Sequence, residues 1–186
     1  MKNITKVFLS LILFCGIITG CSSKSEADKA YKINLAGTDI TVGETKVSEL
    51  SNSKYILDVE PGQMLEKDSY YHGIAFYDEN EEWIGHIDIA TEDEDIPLEE
   101  GIIAAVRVYG AEDGEEKDLS NITIEGVKLS EMTLDKAKET FTGMESDEDS
   151  VWIPNGEYGF RISYNEDGSL DEFSHDKVYD VDWNSN

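Results

Sequence analysis

Apolar and polar residues alternate through most of the chain, and that two-residue period predicts short strands. Tyr31, Ile33 and Leu35 alternate, and Ile40 and Val42 resume the pattern after the turn signal Gly37-Thr38-Asp39. Thr45 is the expected cap of one helical turn with Val47 and Leu50 on one face, and residues 55–59 read as a strand stopped by Pro61-Gly62. Residues 72–77 and 83–89 form a hairpin around the acidic turn 78–82, and residues 102–109 are a β-rich run. Further on, residues 122–124 and 127–129 are short strands. Thr133 then caps an amphipathic helix with Leu134, Ala137 and Phe141 on one side and Gly143 as its stop. Residues 151–153, 158–164 and 170–173 read as strands, and residues 178–183 as an edge strand.

Shifting the chain by 87 residues lays one half over the other. Val42 falls on Leu129, Val47 on Leu134, Leu50 on Ala137, Tyr71 on Tyr158 and Tyr77 on Tyr164. Few residues are identical at that offset, so an internal duplication and a chance alignment of two hairpin-rich halves both stay open. The expected architecture is α+β: an antiparallel sheet with short helices, arranged as two tandem, related helix-plus-hairpin halves at 31–116 and 117–186.

The amino terminus is of another kind. Lys2 and Lys6 precede an apolar stretch at residues 7–18, the length of a secretory leader core and too short to span a bilayer as a stable helix. It ends in Ile18-Thr19-Gly20-Cys21, which resembles the lipobox of bacterial lipoproteins at all four positions. The resemblance implies that residues 1–20 are removed as a signal peptide and that Cys21 accepts the lipid. The competing reading is an ordinary signal peptide with a coincidental cysteine. Cys15 would leave with the leader, so the mature chain would hold no thiol for a disulfide, a nucleophile or a metal. Residues 21–30 are polar and read as a flexible tether.

Charge narrows the function classes. The chain has 41 acidic and 15 basic residues, a net charge of −26, and loss of the two leader lysines takes this to −28. Phosphate contacts need a surplus of Lys and Arg, and there are only two arginines, Arg107 and Arg161, so a nucleic-acid partner is excluded. A polybasic attachment to the membrane surface is excluded on the same ground. The 39% apolar content is enough for a core.

From residue 126 to 173 the layout is Gly126 to Leu129, a Thr-capped helix, a loop, an aromatic strand at Trp152, and a hairpin over 158–173. This resembles the helix-plus-hairpin module of SmpA/OmlA-type small lipoproteins and of β-lactamase-inhibitor-like proteins, which place two such modules in tandem. The resemblance implies a non-enzymatic protein-binding module that works through an aromatic sheet face. The pattern departs from those families after the helix, where Gly143-Met144 lacks their proline. The first half is similar to lipoproteins of Gram-positive bacteria.

Candidate chemistry is sparse. His72 and His86 lie in the two strands of one predicted hairpin and, with Asp88, could offer zinc ligands, but their spacing fits no zinc motif. Ser174-His175-Asp176-Lys177 has Ser-x-x-Lys spacing at a strand end, without the helix that would bring serine and lysine together. The acidic clusters at 78–82, 92–95, 112–116 and 145–149 suit solvated loops, or calcium, although none has the EF-hand order. Tyr71, Tyr77, Trp83, Tyr158 and Tyr164 are the candidate partner surface. The sequence therefore points to a lipid-anchored, extracytoplasmic, non-catalytic binding module with no cofactor. It would be attached to the cell membrane through Cys21 and would recognise an unidentified protein or envelope partner. The alternative is a calcium- or small-solute-binding lipoprotein.

Overall fold

The computed structural model describes residues 28–179, apart from 53, 61, 93, 94, 113 and 155. The leader, the lipobox and the predicted strand at 178–183 beyond Tyr179 lie outside the described residues. Among the described residues strands far outnumber helical turns, so the architecture is all-β and the α+β expectation is corrected. The cause lies in the two predicted helices. Val47–Asn52 makes only a 3-10 turn. Thr45 does not cap it, because its Oγ1 accepts the Thr41 N–H at 2.9 Å; the Glu49 carboxylate accepts the Lys46 N–H at 2.9 Å instead. The one α-helix, α1 (Leu134–Thr140), is seven residues long. Its cap is as predicted, with the Thr133 side chain accepting the Lys136 N–H at 3.2 Å.

In chain order the strands are β1 (Lys32–Leu35), β2 (Thr38–Thr41), β3 (Ile56–Leu57), β4 (Met64–Leu65), β5 (Ser69–Tyr77), β6 (Trp83–Thr91), β7 (Ile96–Pro97) and β8 (Ile102–Tyr109). They continue as β9 (Ala111–Glu112), β10 (Glu115–Glu116), β11 (Ile122–Ile124), β12 (Val127–Lys128), β13 (Glu145–Ser146), β14 (Ser150–Trp152), β15 (Tyr158–Tyr164) and β16 (Leu170–Lys177). Eight form one antiparallel sheet, ordered β13-β14-β15-β16-β8-β6-β5-β3. Four form a smaller sheet, β12-β11-β1-β2, and β4-β7 and β9-β10 are two-stranded ribbons.

Both sheets mix strands from either side of residue 116. β1 pairs with β11, Ile33 opposite Ile124, while β6 and β16 both pair with β8. The two halves are therefore not tandem modules; they share both sheets and one core. At the 87-residue offset β6 begins where β16 does. The echo fails in facing. Ile74, Phe76 and Ile87 are buried in the core, and at that offset they fall on Arg161, Ser163 and Ser174. Those three alternate with the inward Phe160, Ile162 and Phe173 and so take the opposite face. A repeated core would keep the same residues inward, because a one-residue slip turns every side chain over.

The core lies between the small sheet and one face of the large one. Ile33, Leu35 and Ile40 meet Phe76, Ile87, Val106, Val108 and Phe173, all buried completely or nearly so. Tyr31 closes one end, with its ring 4.9 Å from Phe160 and 5.3 Å from Phe141 of the turn after α1. Gly85 permits the close passage of β6 and β8, since a Cβ there would lie 1.9 Å from the Arg107 carbonyl oxygen.

Candidate functional site

Alternation along the central strands sends a second set of residues to the other face of the large sheet. Ile87, Val106, Val108 and Phe173 point into the core, so His86, Asp88, Arg107, Tyr109, Ser174 and Asp176 point away from it. Asp88 organises this outer face. Tyr71 pairs with Ile89 and Ile74 with Ile87, leaving two residues, His72 and Gly73, opposite the single Asp88. That is a β-bulge, and bulges re-aim side chains. Gly73 takes φ +69° there, and its N–H donates to Asp88 Oδ1 at 2.9 Å.

The other carboxylate oxygen is the more crowded. Arg107 Nη1 donates to Asp88 Oδ2 at 2.7 Å, the Tyr70 hydroxyl donates to it at 3.2 Å, and His72 Nδ1 stands 3.4 Å away. The Asp88 side chain is fully buried, whereas His72 is 73% exposed. A buried carboxylate is tolerated only when paired and hydrogen-bonded, and these donors meet that need. Burial, and then the Asp88 charge, raise the Tyr70 hydroxyl well above its ordinary range. Burial works against the Arg107 charge, but the hydrogen bond that Arg107 donates to Asp88 and the Asp88 charge outweigh it and the guanidinium is held protonated. Asp176, also on this face, is raised by burial, with Arg107 opposing and Asp88 adding to the rise.

Beside this hub stands an aromatic group. Trp83 stacks on Tyr109 with ring centroids 5.1 Å apart and planes 23° from parallel, and His86 sets its edge 5.1 Å from Trp83. Lys117 Nζ lies 3.7 Å from the Trp83 ring centroid, donates to the Trp83 carbonyl and pairs with Glu112 at 3.2 Å. The lysine thereby clamps the β9-β10 ribbon to the sheet. Burial lowers the His86 pKa, and the neighbouring Arg107 charge lowers it further.

The five aromatic candidates separate. Trp83 is part of the outer cluster, and Tyr77 lies opposite it in register, half-buried. Tyr71 is 39% exposed but pairs with Ile89, away from the hub. Tyr158 and Tyr164 are only 6% exposed. Alternation places them on the same side as Phe160 and Ile162, and the Tyr164 hydroxyl donates to the Met132 carbonyl at 2.8 Å, so neither offers a partner surface.

The remaining sequence candidates fall apart as sites. His72 contacts Asp88 and Tyr70, while His86 contacts Trp83 and Tyr109, and among the described residues no three of His, Cys, Asp and Glu converge to hold a metal ion. His175 is buried in the core. Ser174 and Lys177, three apart in a strand, face opposite sides of the sheet. The acidic turns use their own carboxylates: Asp78 accepts the N–H groups of Asn80 and Glu82, Asp147 that of Ser150, and Asp167 that of Ser169. Among the described residues no helix is long and apolar enough to cross a membrane.

Sequence reasoning named Asp88 only as a companion of the histidines and missed Arg107, Tyr109 and Lys117 as members of the site. The available signal was a lone charge inside each of two apolar strands, Ile87-Asp88-Ile89 and Val106-Arg107-Val108. Comparison with family models, with curated proteins and with solved structures gives no match.

Proposed function

We propose that the chain is a lipid-anchored, extracytoplasmic binding module that is tethered through Cys21 and engages a protein or cell-envelope partner with the outer face of its large sheet. One observation carries the reading. Arg107 is fixed at 2.7 Å by a fully buried carboxylate, beside the stacked Trp83 and Tyr109. Arginine, tryptophan and tyrosine supply most binding hot spots, and a side chain held in place before contact loses less entropy on binding. Catalysis gains no such support from this face, because the Asp88 oxygens are already taken up by their own donors.

The test is site-specific photocross-linking on intact cells that produce the protein. A benzophenone side chain at His86, on the outer face, should give one discrete cross-linked species, and the same group at Glu139, on the exposed side of α1, should not. Equal yields from the two positions, or none from either, would overturn the proposed surface.

A further inference from the structure

A cavity of about 400 Å³ opens where the end of β16 passes β6 and the start of β8. Its walls include Ala90, Ile96 and Ile102, and its rim carries Lys46, Glu92, Glu100, Lys177 and Tyr179. Lys46 and Glu100 neutralise each other at 2.7 Å. Lys177 and Glu92 do not. The Lys177 ammonium sits 5.0 Å from the centre of the Tyr179 ring, and the Glu92 charge acts on the same tyrosine, raising its hydroxyl pKa after burial has done so. Both charges line the same cavity as that ring, and among the described residues no ion pair joins either of them to the other or to a third group.

From this geometry we infer that the cavity is a binding site for a small zwitterion of the α-amino-acid class. The ligand carboxylate meets Lys177, its ammonium meets Glu92, and its side chain lies against Ile96, Ile102 and the Tyr179 ring. The size is right, since small-ligand sites begin at roughly 300 Å³. The chemistry is selective, because a simple anion would face Glu92 and a simple cation would face Lys177, and only a molecule with both charges satisfies both groups. The cavity adjoins the outer-face hub, where the Tyr179 ring stands 6.3 Å from that of Tyr70, but the two charges it uses, Lys177 and Glu92, belong to neither the hub nor the proposed partner surface.

The experiment is isothermal titration calorimetry on the full chain, solubilised in detergent, with leucine, N-acetyl-leucine and leucinamide as probes. Leucine should bind, and the two derivatives, each lacking one charge, should bind at least tenfold more weakly. Lys177→Met should weaken leucine at least tenfold while leaving leucinamide unchanged, and Glu92→Gln should weaken leucine while leaving N-acetyl-leucine unchanged. Both variants should keep the unliganded melting temperature, because both side chains stand at the cavity rim. The proposal is overturned if leucine shows no heat of binding up to millimolar concentration, if leucinamide or N-acetyl-leucine binds as tightly as leucine, or if the two variants bind leucine like the parent.

Discussion

The Nε2 atom of His175 accepts the backbone N–H of Tyr31 at 3.0 Å, while Nδ1 lies 2.7 Å from the Gly159 carbonyl oxygen. A carbonyl can only accept, so Nδ1 carries the proton and Nε2 is the bare acceptor: the imidazole is neutral. The bond spans 144 residues and fastens Tyr31, the residue just before β1, to a central strand of the large sheet. A second proton on this ring would set N–H against N–H.

That arrangement predicts a pH dependence of stability. Burial pushes the His175 pKa down to about 4, with Gly159 and Glu125 pulling weakly the other way, against about 6.5 in an unfolded chain. Between those values the unfolded state binds the extra proton, so this contribution is complete above pH 6.5 and is lost as pH falls toward 4. Its full size is about 3 kcal/mol. Urea unfolding at pH 4.5, 5.5 and 7 should show the parent losing that much more stability on acidification than His175→Gln. Parallel pH profiles for the two proteins would refute the assignment.

Asp88 and Arg107 predict a non-additive pair. Arg107→Met leaves a fully buried carboxylate without its strongest donor and should lower stability by about 3 kcal/mol. Replacing both, as Asp88→Leu with Arg107→Met, should lower it by less than Arg107→Met alone, because the unpaired charge has gone with its partner. Chemical denaturation of the four proteins in the cycle gives the coupling. Additive losses would mean that the pair contributes nothing as a pair.

How much of this was legible beforehand depended on distance along the chain. The strand at 102–109 and the hairpin around 78–82 were clear, because alternation and turn residues are local signals. The pairing of Ile33 with Ile124 was not, since periodicity says that a strand exists and nothing about its neighbour. β16 was cut short at Phe173 because Ser174-His175-Asp176-Lys177 looks like a polar loop, although its histidine is a core residue with both nitrogens satisfied. The outer-face hub was half legible: a single aspartate among isoleucines is conspicuous, but the bulge that turns His72 and Gly73 toward it leaves no periodic trace.

Tyr164 separates a structural from a recognition role. Tyr164→Phe removes the hydroxyl donor from the Met132 carbonyl and should lower stability by about 1 kcal/mol. Cross-linking through position 86 should be unchanged, since Tyr164 lies on the core side of the sheet. A variant with parental melting temperature and lost cross-linking would return Tyr164 to the partner surface.

The proposed anchor rests on Cys21, and the charge of the folded body sharpens its test. With a net charge of −28 if the leader is removed, the mature protein would be repelled by anionic headgroups, so attraction to the lipid surface could not stand in for a missing acyl chain. Two acyl chains on the cysteine hold a protein stably, whereas a twelve-residue apolar leader core is too short to serve as a lasting span. Cys21→Ala should therefore abolish labelling by radioactive palmitate and leave a precursor that is larger than the mature protein by the twenty-residue leader, visible by mass spectrometry. Undiminished palmitate labelling in that variant would place the lipid elsewhere and remove the basis for reading residues 18–21 as a lipobox.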